Sequence, residues 1–309
     1  MSNEVAAATN ASTKNPFKVR LFYFIRRWLI FYGAIVLLLA VFQRKLMYHP
    51  TVVAELSPQS AGLGEHVSAV KTTTVDGIEL NGWHWKSRNE DPNRPVVLFF
   101  HGNGGNRGHR TFDCELFDNC GADTIIFDYR GYAENAGKPT EDGLTKDARA
   151  AWDFVTKETG IAPQRIFVFG GSLGGGVAVR LTADLCREGT PPGGLMLRST
   201  FSSMVDAAKW NYWYLPVRTI LLDRYISTDH APDITCPVLQ MHGNVDKIVP
   251  FKFGQKLFAA FPDQSASGVA KTFLELDGAD HNGVLITAGE EVLTATRAYF
   301  KQVAGSVGK

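Results

Sequence analysis

The run Ile166-Phe167-Val168-Phe169-Gly170-Gly171-Ser172-Leu173-Gly174-Gly175-Gly176 restricts this chain more than any other stretch. Four apolar, β-prone residues lead straight into Gly-x-Ser-x-Gly, and a small-residue stretch with helical character follows over 177–185. That succession predicts a buried parallel strand, a sharp turn and a helix start, the setting of a nucleophile elbow. The glycines have a steric reason. A serine at the tip of a strained strand-to-helix turn brings its neighbours one helical turn apart into contact, so Gly170 and Gly174 must lack Cβ atoms. Such a turn holds the Ser172 hydroxyl clear of the backbone and points the Leu173 N–H at the same spot. An ordinary glycine-rich turn in a chain with 30 glycines would read alike, so the surroundings must decide.

Those surroundings have the rhythm of an α/β domain. Residues 67–74 and 78–85 alternate apolar and polar, joined by the turn pair Asp76-Gly77. Residues 95–100, 123–127 and 166–169 are short apolar runs suited to strands covered on both faces, and 194–197, 237–241 and 272–276 read as further strands. Helical spacing fills 141–158, and a terminal helix is expected near 289–303. Strands alternating with helices predict a mostly parallel, doubly wound sheet, with any ligand site beyond the carboxyl ends of its strands.

Three polar residues meet that rule. Ser172 follows one strand, Asp246 follows 237–241 in His242-Gly-Asn-Val-Asp246, and His281 follows 272–276 in Asp277-Gly-Ala-Asp-His281. A serine hydroxyl attacks poorly until an imidazole takes its proton, and the imidazole needs a carboxylate to fix its tautomer. Asp246 could instead cap the helix starting near Pro250, and His281 could be a plain loop residue. The shared placement, in the order Ser…Asp…His, favours a catalytic triad. Backbone amides of Leu173 and of Asn103, in the loop His101-Gly-Asn-Gly-Gly-Asn106, are the candidate oxyanion donors. His101 reads as a structural residue that orients this loop.

Composition removes several other classes. A formal net charge of +1 leaves no electrostatic footprint for nucleic acid. Cys114, Cys120, Cys186 and Cys236 are too few and too scattered for a disulfide framework or metal site and read as packing residues. The first twenty residues, 1–20, read as a disordered tail. Residues 28–42 are uninterrupted apolar, about 22 Å of helix, short of a hydrocarbon core of about 30 Å. Counting from Leu21 extends the run to about 33 Å, with Arg26 and Arg27 near enough to its end to snorkel. A transmembrane anchor over 21–42 is therefore expected, followed by a catalytic domain over 43–309. No small-x-small cleavage site follows the run, and no polar face suits an in-plane helix. Lys14, Lys18, Arg20, Arg26 and Arg27 precede the uninterrupted apolar run, against Arg44 and Lys45 after it, which predicts a cytoplasmic amino terminus and an extracytoplasmic catalytic domain.

Taken with Phe42-Gln-Arg-Lys-Leu-Met-Tyr-His-Pro50, Asp128-Tyr-Arg-Gly-Tyr132, Arg198-Ser-Thr-Phe201 and Asp280-His281, these motifs make the chain resemble the membrane-anchored α/β-hydrolases of the Bem46/ABHD13/ABHD17-like group. It departs at Ala133-Glu134-Asn135, where that group usually carries glycine and a small polar residue. The resemblance implies an α/β-hydrolase fold and hydrolysis of a carboxylic ester or thioester, and adds no substrate. The expected substrate is a small-molecule or lipid ester, the lipidic class being suggested by the anchor, and no metal or organic cofactor is implied. An acyltransferase or peptidase with the same triad, and a catalytically silent scaffold of the same fold, remain open at this level. The aromatic stretch Trp210-Asn-Tyr-Trp-Tyr-Leu-Pro216 reads equally as an acyl-binding wall, a membrane-facing lip or connector packing.

Overall fold

The computed structural model describes residues 16–306 and divides the chain into two compact units, Met1–Gln43 and Arg44–Lys309. Residues 1–15 of the expected tail lie outside the described residues. Helix α1 (Pro16–Met47) starts five residues before the expected Leu21. Pro16 suits the first helical turn, and nothing between it and Leu21 stops the helix from running back. Over Arg20–Met47 the helix is long and apolar enough to cross a membrane. Trp28, Leu29, Ile30, Leu37 and Val41 project outward from it fully exposed.

The second unit is organised by one eight-stranded sheet. In chain order its strands are β1 (Val67–Thr73), β2 (Glu79–Trp85), β3 (Val96–Phe100), β4 (Asp123–Phe127), β5 (Ile166–Gly171), β6 (Gly194–Arg198), β7 (Val238–Gly243) and β8 (Thr272–Leu276). Their spatial order is β8-β7-β6-β5-β3-β4-β2-β1. The β1–β2 and β2–β4 pairs are antiparallel and all the others parallel, as expected of a mostly parallel sheet. The turn at Asp76-Gly77 closes the first hairpin with Gly77 at φ 81°, a left-handed backbone that glycine adopts without steric cost.

Side-chain alternation builds a core on each face. Val96, Leu98 and Phe100 of β3 pack with Ile125 and Val168 on one side; Val97 and Phe99 pack with Phe169 and Met196 on the other. Helices α3 (Glu141–Asp153) and α4 (Leu173–Arg187) cover the first face, and α2 (Thr111–Asn119) and α7 (Val284–Ala304) the second. Each fully buried large apolar side chain contributes about 1.5–3 kcal/mol, so a two-faced core fixes strand register firmly. Helical spacing over 141–158 resolves into α3 and a wider π turn at Phe154–Glu158. The terminal helix begins at Val284, earlier than expected, and bends at Ala288. Between β6 and β7 lie α5 (Met204–Asn211) and an irregular connector; α6 (Phe251–Ala260) follows β7.

Candidate active site

The carboxyl ends of β5, β7 and β8 bring Ser172, Asp246 and His281 together. His281 Nε2 lies 3.0 Å from Ser172 Oγ, and its Nδ1 lies 2.7 Å from Asp246 Oδ2. One imidazole thus bridges the hydroxyl and the carboxylate through opposite ring nitrogens. Carboxylate on Nδ1 fixes the tautomer in which Nε2 is free to accept the hydroxyl proton.

Each side chain is held by its local backbone. Ser172 has φ 52° and ψ −119°, a strained conformation for a residue with a side chain, at the junction of β5 and α4. Its amide donates to the Arg198 carbonyl at 2.9 Å, and its own carbonyl accepts from Thr200 Oγ1 at 2.8 Å. A Cβ on Gly170 would strike the Gly174 carbonyl and Ala178, the mutual exclusion expected from the spacing. The demand on Gly174 has a different source: its Cβ would strike the carbonyls of Phe100 and His101 at the end of β3. The elbow is therefore locked against the loop that carries Asn103, beyond its own turn.

Asp246 is buried and accepts from the amides of Ile248 and Val249 through Oδ1 at 2.9 and 2.8 Å, leaving Oδ2 for His281. Burial alone would raise its pKa, but the neighbouring His242 and His281 rings and the Val249 amide overcome this and hold it down at about 2. The carboxylate form is secured at neutral pH. The capping alternative is answered by the same geometry: α6 starts after Pro250, and its entry carries no side-chain cap bond.

The loop after β3 runs directly over the serine, where a Cβ on Gly102 would meet Ser172 Cβ at 3.6 Å. Asn103 is tied down from both ends. Its side-chain amide donates to the Met47 carbonyl at 2.8 Å, and its carbonyl accepts from the His49 amide at 2.9 Å and Tyr132 Oη at 2.7 Å. Leu173 opens α4, so its N–H belongs to the first turn, whose amides have no helical acceptor. His101 is buried; its Nδ1 lies 2.7 Å from the Gly102 carbonyl and its Nε2 3.3 Å from Asp128 Oδ1. The acid beside His101, absent from the neighbouring sequence, arrives from the end of β4.

Two contributors were not legible as such. His242 is fully buried, donates through Nε2 to the Val249 carbonyl at 2.9 Å and sits with that nitrogen 3.5 Å from Asp246 Oδ2. Its place in His-Gly-x-x-Asp was visible, but contact with the carboxylate requires the loop to fold back. Glu134 occupies the atypical position in Ala133-Glu134-Asn135 and pairs with Arg107 Nη2 at 2.6 Å, while Arg107 also clasps buried Asp128. An ion pair thus stands where the hydrolases this chain resembles usually carry a small polar residue.

Residues 95–221 match the model of a family described as having the α/β-hydrolase fold. The chain is 34% identical over 262 residues to an uncharacterized protein of Mycobacterium tuberculosis, covering 85% of this chain and 88% of that one. It is 33% identical over 232 residues to a lysophosphatidylserine lipase, ABHD12, of Danio rerio, covering 65% of this chain and 60% of that protein. Among solved structures it is similar to an esterase of Pyrococcus furiosus, with a TM-score of 0.61 at 19% identity over 83% of this chain and 98% of that one.

Proposed function

Given that the chain belongs to the α/β-hydrolase family and is homologous to a lipid hydrolase, we propose that it is a membrane-anchored serine hydrolase of acyl esters carried by lipids. The single observation that carries this reading is the His281 ring bridging Ser172 Oγ and Asp246 Oδ2. His281 takes the Ser172 proton as the hydroxyl oxygen attacks the acyl carbonyl. Asp246 holds the ring's tautomer and stabilises the imidazolium. The developing oxyanion lies against the amides of Asn103 and Leu173, each such donor being worth about 3–4 kcal/mol of barrier. His281 then protonates the leaving alcohol, and water enters by the reverse path to release the acid and restore Ser172.

Residues 21–42 are proposed as the span that tethers the catalytic domain (43–309), with the short amino-terminal segment cytoplasmic and the domain on the opposite side. Support comes from the exposed apolar surface of α1 and from the excess of basic residues before the span. The homologous lysophosphatidylserine lipases point to single-chain phospholipid esters first, with acyl thioesters as the competing class.

A fluorophosphonate probe reacts with an activated serine and reports the triad without knowledge of the substrate. The full chain should label, Ser172→Ala should not, and a panel of lysophospholipids, simple esters and thioesters of rising chain length should rank the substrates. A folded wild type that neither labels nor hydrolyses any member would assign the fold to a scaffold.

A further inference from the structure

Connector residues 210–222 carry an apolar surface that the domain does not cover. Trp213 is 79% exposed and Leu222 60%, and Trp210, Tyr212 and Tyr214 stand exposed beside them. Tryptophan and tyrosine with one wet and one apolar end are the side chains of a membrane interface. We propose that this connector is a second membrane-docking surface, which lies in the headgroup region of an anionic bilayer.

Position supports that occupant. Asp223, next to Leu222, is buried and accepts from Arg44 Nε and Nη2 at 2.8 and 3.1 Å and from Tyr48 Oη at 3.2 Å. Arg44 is the next residue in sequence after the unit that contains the apolar helix. If α1 is the membrane anchor, on which this inference rests, chain connectivity alone delivers Asp223 and its neighbours to the level where the chain leaves the bilayer.

Charge supports the sign of the surface. Residues 210–222 contain no acid, and the acids that flank them are taken: Asp206 pairs with Lys256 at 2.6 Å and Asp223 with Arg44. Lys209, Arg218 and Arg224 are exposed, and Lys252 Nζ sits 3.4 Å from the centre of the Trp210 ring. Cations ringing interfacial aromatics suit anionic headgroups. The connector leaves β6, whose Arg198 carbonyl accepts the Ser172 amide, so the docking surface and the nucleophile depend on the same strand end.

The chain has six tryptophans; Trp83, Trp85 and Trp152 are buried, which leaves Trp28, Trp210 and Trp213 at surfaces. The test uses the full chain in vesicles of brominated phosphatidylcholine with phosphatidylglycerol. In the Trp28→Phe protein, emission should be quenched by the brominated lipid, and most of that quenching should vanish when Trp210→Phe and Trp213→Phe are added. Lys209→Glu with Arg218→Glu should weaken the quenching about tenfold in its dependence on phosphatidylglycerol content. Equal quenching with and without Trp210 and Trp213, in chains of unchanged circular dichroism, would overturn the docking surface. Failure of the anchor reads differently: a protein retaining Trp28 but lacking Trp210 and Trp213 would then escape quenching.

Discussion

The rim that carries Ser172 and the connector around Trp213 solve opposite problems. At the rim, hydrogen bonds fix the Ser172 backbone, the Asp246 carboxylate and the Asn103 loop, and two glycines are pressed against backbone carbonyls with no room for a methyl group. On the connector, large aromatic rings face outward, and the flanking Asp206 and Asp223 are paired with Lys256 and Arg44. Preorganisation explains the first: a proton relay works only when its donors and acceptors are fixed before the substrate arrives. A surface meant to meet a soft, variable partner has no such requirement. Substitutions should therefore separate the two regions by what they damage.

Ser172→Ala has the largest expected effect. Hydrolysis should fall by on the order of 10⁶-fold in kcat, as for loss of a triad nucleophile, while thermal unfolding stays near that of the wild type. Asp246→Asn should cost on the order of 10⁴-fold through the wrong imidazole tautomer, measured as kcat on a soluble short-chain ester. Gly174→Ala damages folding instead. Its methyl group would enter the Phe100 and His101 carbonyls, and a loss of about 3 kcal/mol in denaturant unfolding is expected.

The Asp246 carboxyl also gives the rim a pH signature. Held at about 2 in the folded chain against roughly 3.9 when unfolded, it favours folding above about pH 4. As pH falls towards 2 the unfolded chain binds the proton first, and roughly 2 kcal/mol of stability is lost. Asp246→Asn should flatten that part of the stability curve, which denaturant titrations across pH 2–5 would reveal. The smallest effect belongs to the connector: Trp213→Ser should change unfolding free energy in detergent by no more than about 0.5 kcal/mol. A larger loss there would make the aromatic ring part of the packed domain and erase the contrast.

Much of the rim was readable in sequence because each part is local. A short strand-forming run fixes a strand, and the few residues after it fall at the carboxyl end whatever the rest of the chain does. Ser172, Asp246 and His281 could be placed on one edge for that reason, and Gly170 followed from turn sterics, whereas the demand on Gly174 comes from the Phe100 and His101 carbonyls at the end of β3. What stayed hidden depends on long-range contact. Arg44 and Asp223 are distant in sequence, Tyr132 reaches the Asn103 carbonyl from the loop after β4, and Asp128 meets His101 from the end of the neighbouring strand. Helix limits escaped for a different reason: propensity does not distinguish Pro16 from Leu21 as a start, nor forewarn of the π turn after Asp153.

The proton relay itself is tested most directly by the rate of fluorophosphonate labelling in His281→Gln compared with the wild type, with the modified peptide identified by mass spectrometry. Labelling confined to the peptide bearing Ser172, and slowed by on the order of 10³-fold or more in His281→Gln, is the predicted result. Equal rates in the two proteins, or an adduct on another residue, would contradict it.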